Sequence, residues 1–166
     1  PLTCNTLYHF RALATNSVGT NYGGDLTFTT LPCPPTVLTT PETGVGMYTA
    51  TLNGNLTGLG GASNATAAFE YGPTTSYGTT ITASTPAQPM TALGVFSKPL
   101  TSLACLTTYH YRAKATNIAG SATGADFTFT TGACPITVVA PTVTTDPATA
   151  ITATTATING TVTATG

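Results

Sequence analysis

Four cysteines are the residues of this chain that could form covalent links. They fall into two pairs with the same spacing, Cys4 with Cys33 and Cys105 with Cys134. A zinc site needs clustered ligands such as C-x-x-C, and neither this motif nor a nearby histidine is present. Free or redox-active thiols are the other alternative. We predict two disulfides, and because disulfides persist in oxidising compartments we expect a secreted, extracellular or cell-surface protein.

The separation of the paired cysteines fits the open end of a β-hairpin. Facing residues of an antiparallel hairpin have a constant index sum, which places the turns between Val18 and Gly19 and between Ala119 and Gly120. Each turn lies in a stretch that begins with Asn and ends with Gly, "NSVG" and "NIAG", which favours a turn. A disulfide that closes such a loop, of roughly 30 residues, should stabilise by about 3 to 4 kcal/mol.

Two histidines, His9 and His110, occupy equivalent solvent-facing positions. One interpretation is a metal site between repeated units; the other, which we favour, is an exposed polar residue on a strand. Asp25 and Asp126 begin the following strand, where turn capping accounts for them. The remaining charged residues of this face are Arg11, Arg112 and Lys114. For these we expect cross-strand hydrogen bonds.

The only two glutamates do not suggest catalysis. A glycosidase needs two carboxylates in one cleft, whereas Glu42 lies in the Gly-rich "PETGVG" segment, expected to be a turn, and Glu70 on an outward strand face. Lys98 could form an isopeptide bond, which would lower the mass by one ammonia, but the sequence places no partner beside it. We predict no enzyme activity, no catalytic residue, no metal ligand and no cofactor.

Three N-glycosylation sequons occur, at Asn55 ("NLT"), Asn64 ("NAT") and Asn159 ("NGT"). Chance matches are common in a Thr-rich chain, so attached glycans, Thr-linked sugars and unmodified side chains all remain open.

Composition excludes several partners. Charged residues make up 5% of the chain and the net charge is -1, so no basic surface exists for nucleic acid or anionic lipid. No apolar run approaches the roughly 20 residues that span a bilayer. The sequence begins at Pro1 without a leader, which suggests a processed product or a segment of a longer protein.

An internal repeat organises the chain. "CNTLYHFRALATN" from Cys4 returns as "CLTTYHYRAKATN" from Cys105, an offset of 101; "PTV" and "NG" then return at an offset of 106. We predict three parts: residues 1–33 are the last two strands of one module, 34–134 a complete module, and 135–166 the first strands of a third. We expect the two partial modules to be completed by adjacent modules or by neighbouring copies.

Alternation of apolar and polar residues predicts an all-β fold. Seven strands are expected in the complete module: Val37–Thr40, Tyr48–Thr57, Ala65–Tyr71, Tyr77–Ala83, Val95–Leu100, Thr107–Asn117 and Asp126–Thr131. Their inward residues should fill the core of a two-sheet sandwich. These residues are Ala50, Leu52, Leu56, Phe69, Tyr71, Tyr109, Tyr111, Ala113, Ala115, Phe127 and Phe129. The linker "PITVVAP" is apolar and β-prone, so it should lie against a neighbouring domain, pair with a strand edge, or extend the next strand.

In "SLACLTTYHYRAKATNIAG" followed by "ADFTFTT", in "YTATLNGNL" and in "FEYGPTTSYG", the chain resembles the fibronectin type III family, in the form found in bacterial secreted proteins. The resemblance implies tandem seven-stranded sandwiches and gives Tyr109, and Tyr8 in the first copy, the role of the tyrosine corner. Two features depart from the family: the usual Trp of the second strand is absent, and Cys105 stands where Pro or Gly is common.

Two functions compete. The first is a structural module of a secreted or cell-surface protein, which forms an extracellular filament by head-to-tail modules or strand complementation, with other copies as partners. The second is an adhesin or spacer module of a larger secreted protein or enzyme, which would bind through "GLGGASN" (residues 58–64) and "NIAGSATGA" (residues 117–125). These loops lack the aromatic and Arg anchors of binding hot spots.

Overall fold

The computed structural model describes residues 1–136 and 138–164. Every regular element in these ranges is a β-strand, so none of the described residues belongs to a helix that could cross a membrane. Contacts divide the chain into two compact units, Pro1–Ala133 and Cys134–Gly166.

The first unit begins with an interrupted hairpin. Its strands are β1 (Leu7–Phe10), β2 (Leu13–Thr15), β3 (Thr20–Tyr22) and β4 (Leu26–Thr29). β1 pairs with β4 and β2 with β3, both antiparallel. The four short strands are thus two long strands, each interrupted once. We call residues 1–33 the N-terminal hairpin.

The complete module follows in the same unit. Its strands are β5 (Thr36–Thr43), β6 (Ala50–Gly58), β7 (Thr66–Gly72), β8 (Thr79–Thr82), β9 (Gly94–Leu100), β10 (Thr108–Asn117), β11 (Gly120–Thr123) and β12 (Phe127–Thr130). One sheet has the order β5-β6-β9; the other has β11-β10-β7-β8, with β12 also on β10. This is the strand order of a fibronectin type III-like sandwich, as the sequence resemblance implies.

The core lies between these two sheets. Of the predicted inward residues of β6 and β10, Leu52, Leu56 and Tyr111 are buried, whereas Tyr109 is half-buried. Phe69 of β7 and Phe96 of β9 meet at the centre with ring centroids 5.1 Å apart. A core without Trp is therefore closed by packed Phe and Tyr rings and by small alanines.

The last predicted strand, Asp126–Thr131, corresponds to β12, but β11 precedes it in the segment predicted as a loop, and the turn of the hairpin is displaced. β10 pairs with β11 in one register and with β12 in another, shifted by one residue around Gly124. The turn of the hairpin accordingly lies between Ile118 and Ala119, one residue before its predicted position. The N-terminal hairpin has the same shift, so its turn lies between Ser17 and Val18. One extra residue in one strand is a β-bulge. The constant index sum assumes one-to-one pairing along the whole hairpin, so it misplaces the turn by one residue.

Tyr77 is not the first residue of a strand. It has a left-handed backbone with φ of 58° and precedes β8, which begins at Thr79. Its ring is buried, so it is a turn residue that also contributes to the module's interior.

The second unit contains one hairpin, β13 (Thr142–Thr149) with β14 (Thr157–Ala164). Its pairing repeats that of β5 with β6, including register shifts at equivalent places. We call residues 142–164 the C-terminal hairpin. The segment before it, whose Thr137 lies outside the described residues, does not extend the strand, and Ile136, Val138 and Val139 are exposed.

Candidate functional site

The hairpin formed by β10 with β11 and β12 is closed at its base by the same contacts as the N-terminal hairpin. The Tyr109 hydroxyl accepts a hydrogen bond from the backbone N–H of Ala104 at 3.0 Å, and the Tyr8 hydroxyl accepts one from Thr3 at 2.8 Å. This is the upstream backbone bond of a tyrosine corner. The geometry at the base of each hairpin is therefore fixed by contacts between the hairpin and the segment just before its first strand.

The cysteines lie at the same end. The Sγ atoms of Cys4 and Cys33 are bonded, with 5.3 Å between their Cα atoms. Cys105 and Cys134 are disulfide-bonded as well, and the described chain has no free cysteine. Zinc or thiol chemistry would need cysteines released from these bonds.

Each histidine lies beside an aspartate, which the sequence interpretation missed. His110 Nδ1 lies 2.8 Å from Asp126 Oδ2, and His9 Nδ1 lies 2.7 Å from Asp25 Oδ2. Asp126 also accepts a hydrogen bond from the Tyr77 hydroxyl at 2.9 Å. The interpretation of the two aspartates as turn caps was therefore wrong: they bind histidines on the adjacent strand.

Burial raises the pKa of Asp126, but the hydrogen bonds from His110 and Tyr77 outweigh it and hold this pKa below the ordinary value of 3.8. Within the described residues no three His, Cys, Asp or Glu side chains are grouped so that they could hold a metal ion.

The outer face of the second sheet carries an ion-pair network centred on Glu70. Its two oxygens accept hydrogen bonds from Arg112 and Lys114, each at 2.7 Å. The hydrogen bond from Lys114 lowers the pKa of Glu70, Arg112 adds to this, and burial opposes it. Arg112 also lies 4.6 Å from the centroid of the Tyr77 ring. The network is thus the cross-strand hydrogen bonding expected of this face.

Glu42 is not in a turn but near the end of β5. The Tyr111 hydroxyl, at the edge of the core, lies 2.9 Å from both Glu42 Oε2 and the backbone carbonyl of Thr40. Burial, and then the bond to Glu42, raises the pKa of Tyr111. Glu42 and Glu70 thus have separate partners, Tyr111 for one and the two cations for the other. Lys98 lies half-buried on β9.

The three sequons differ in accessibility. Asn64 is exposed in a loop, and Asn55 lies half-buried on β6 between the exposed Leu38 and Val95 of the adjacent strands. The Asn159 amide donates to the Pro147 carbonyl at 2.8 Å and contacts the Thr149 hydroxyl at 3.1 Å. A glycan on Asn159 would displace these bonds.

The N-terminal hairpin exposes residues that are core residues in the complete module. Phe10 is 50% exposed, whereas its equivalent Tyr111 is fully buried. Phe28 is 41% exposed, whereas its equivalent Phe129 is 4% exposed. Leu26 is likewise exposed. We call this inner face of β1–β4 the F-G half-core.

The C-terminal hairpin exposes the opposing face. Ile158 is 83% exposed although its equivalent Leu52 is fully buried, and Val162 is exposed although its equivalent Leu56 is buried. Val143 is exposed too. We call this inner face of β13–β14 the A-B half-core. Exposed apolar patches of this kind mark interaction surfaces.

The loops proposed for recognition instead contact the preceding hairpin. The Cys33 N–H donates to the Gly60 carbonyl at 2.8 Å, and the Asn117 amide donates to the Cys33 carbonyl at 2.8 Å. Gly61 lies against the Asn5 side chain so closely that a Cβ there would overlap it. These loops thus form a junction between successive parts of the chain.

No family model and no curated protein matches this sequence. Solved structures similar to it include the sensor domain of the anti-sigma factor RsgI4 of Pseudobacteroides cellulosolvens, with 20% identity, a TM-score of 0.47, and 61% of this chain and 98% of that chain covered. A human fibronectin type III domain from the KIAA0970 protein has 14% identity and a TM-score of 0.43 over 61% of this chain and 77% of that one. The chicken CNTN1 FN1-FN3 domains have 14% identity and a TM-score of 0.44 over 79% and 42%.

Proposed function

We propose that this chain is a structural segment of a secreted, extracellular repeat protein, in which sandwich modules assemble head to tail and cover one another's half-cores. The observation that carries the proposal is the burial contrast between equivalent residues. The side chains equivalent to core residues of the complete module are exposed in both flanking hairpins. Covering these faces stabilises the assembly by roughly 25 cal/mol per Å² of apolar area removed from water.

Three further features support a structural role. The disulfides fit an oxidising compartment. The near-absence of charge lowers repulsion between adjacent modules. The junction loops, which a binding module would use for recognition, contact the preceding hairpin through backbone and short polar groups.

Electron microscopy of the purified, oxidised chain tests the proposal, with sedimentation velocity as a second readout. We expect elongated assemblies that lengthen with protein concentration and have an axial repeat of one or two modules. Monodisperse particles of single-chain mass at every concentration would contradict it. Reduced and alkylated protein is the control, because loss of the disulfides should weaken the hairpins that present both faces.

A further inference from the structure

One threonine joins the two sheets of the complete module. The Thr39 hydroxyl accepts a hydrogen bond from the Ala113 N–H at 3.0 Å and donates one to the Ala125 carbonyl at 2.6 Å. Both backbone groups lie where β10 changes its partner from β12 to β11. The β-bulge thus leaves a gap in the ladder, and Thr39 of the opposing sheet fills it.

Gly124 makes room for this contact. A Cβ on Gly124 would lie 2.5 Å from both the backbone nitrogen and the hydroxyl oxygen of Thr39. These distances are too short for any side chain, so at this position a residue with a Cβ would push the two sheets apart.

The N-terminal hairpin has the same gap without a threonine in it. Gly23 is the equivalent of Gly124, and its N–H donates to the Ala12 carbonyl at 2.9 Å, as that of Gly124 donates to Ala113. A Cβ on Gly23 would meet nothing closer than 3.7 Å, and one on Gly24 would meet nothing within 4 Å. The space that Thr39 occupies in the complete module is open here.

The C-terminal hairpin has the threonine without a gap to fill. Thr145 is the equivalent of Thr39 and pairs with Gly160, as Thr39 pairs with Gly54. It is exposed, and its hydroxyl makes no hydrogen bond within residues 1–136 and 138–164. The two hairpins therefore carry the two halves of the contact that the complete module makes internally.

A second pair of positions matches in the same way. Where the complete module sets the Tyr111 hydroxyl against Glu42, the N-terminal hairpin has Phe10 and the C-terminal hairpin has Ala148. Phe10 opposite a glutamate would bury a carboxylate without a donor, which is costly. Phe10 opposite Ala148 buries only apolar atoms, so the two half-cores suit each other better than either suits its counterpart in the complete module.

We infer that the C-terminal hairpin of one copy docks on the N-terminal hairpin of a second copy, with Thr145 in the gap beside Gly23 and Ala148 beside Phe10. The inference rests on the proposed function and names the partner of each half-core. The docked pair has no counterpart of β7, β8 and β9, whose Phe69 and Phe96 fill the centre of the complete core. The complex is accordingly weaker than a folded module and reversible.

Adjacent glycines provide a matched test. Gly23→Ala places a methyl group where Thr145 must lie, and it should lower the association constant, measured by sedimentation equilibrium, by about tenfold or more. Gly24→Ala is the control, because the complete module has Ala125 at this position. It should associate like the parent chain. Both variants should retain the parent's unfolding midpoint for the complete module.

Three results are distinguishable. Absence of association in the parent chain would contradict the proposed function itself. Association that Gly23→Ala and Gly24→Ala leave equally strong would overturn the docking geometry and leave the function standing. Association reduced only by Gly23→Ala supports the inference.

Crosslinking between copies gives a second readout that does not depend on affinity. In the complete module a Cβ on Gly54 would lie 3.0 Å from Ala113 Cβ; the equivalents are Gly160 and Ala12. A mixture of the single variants Ala12→Cys and Gly160→Cys should form a covalent heterodimer on mild oxidation. The control mixture pairs Gly160→Cys with Gly19→Cys in the turn of the hairpin. Equal yields from the two mixtures would overturn the docking.

Discussion

The complete module and the two flanking hairpins have the same strand registers, but they bury equivalent side chains very differently. β13 and β14 pair as β5 and β6 do, down to the register shifts, yet Ile158 is 83% exposed where Leu52 has no exposure. Register is therefore set within each hairpin, by its bulge, its turn and its side-chain bonds to the backbone. Burial depends on the opposing sheet.

The largest expected difference in stability comes from truncating Leu52 of the core and its exposed equivalent Ile158. Leu52→Ala should lower the free energy of unfolding of the complete module by about 2 to 5 kcal/mol, because it leaves a cavity in a packed core. Ile158→Ala should change it by less than about 0.5 kcal/mol in the dissociated chain. Urea denaturation at low protein concentration measures both. Equal losses would mean that Ile158 is buried in solution.

The next largest difference should appear when the disulfide of the complete module and that of the N-terminal hairpin are removed separately. Replacing Cys105 and Cys134 by Ser should destabilise the complete module by about 3 to 4 kcal/mol, since the closed loop no longer restricts the unfolded chain. The same change at Cys4 and Cys33 should leave the core transition nearly unchanged. Differential scanning calorimetry of the two double variants decides this, and the expectation fails if both lower the main transition alike.

Two glycines sharpen the comparison at a smaller scale. A Cβ on Gly54 would lie 2.6 Å from the Phe96 ring, so Gly54→Ala should cost about 1 to 3 kcal/mol through overpacking. A Cβ on Gly160 meets only the Thr144 carbonyl at 3.2 Å, so Gly160→Ala should be nearly neutral in the monomer. Thermal unfolding at low concentration distinguishes them; a matched loss in Gly160→Ala would point to an occupied A-B half-core.

The smallest expected effect is a pH dependence. The folded-state pKa values of Glu70 and Asp126 lie below their ordinary values of 4.5 and 3.8. Their contribution to stability is therefore complete above about pH 4.5 and decreases as the pH falls through the lowered values. Glu70→Gln should flatten this acid decrease, as measured by the urea unfolding midpoint at each pH. An unchanged acid profile in Glu70→Gln would show that the network is screened by solvent.

Much of the fold follows from alternation along the strands. Apolar residues at every second position identified the inner faces of β6, β7 and β10. A strand with one face in water and one in the core must alternate polar and apolar side chains. The turn positions were wrong by one residue because the bulge at Gly124 adds a residue to one strand only. A glycine pair or Gly-Ala step directly before the last strand of each hairpin, "GGD" and "GAD", was the available signal.

The contacts between distant strands were harder to predict. His110 and Asp126 are diagonal neighbours across β10 and β12, and the same separation recurs between His9 and Asp25, so the repeat itself contained this signal. The bond between Tyr111 and Glu42 joins two sheets. No local pattern specifies how one sheet lies over another, so that contact needs the structure.

The Cys4–Cys33 bond has a mechanical consequence. When tension is applied along the chain, the load passes from Cys4 to Cys33 through their sulfur atoms, and residues 5–32 carry none of it. About 95 Å of contour length is thereby withheld from extension until the bond is reduced. A tether built from such segments would stretch less under load and would lengthen abruptly in a reducing environment.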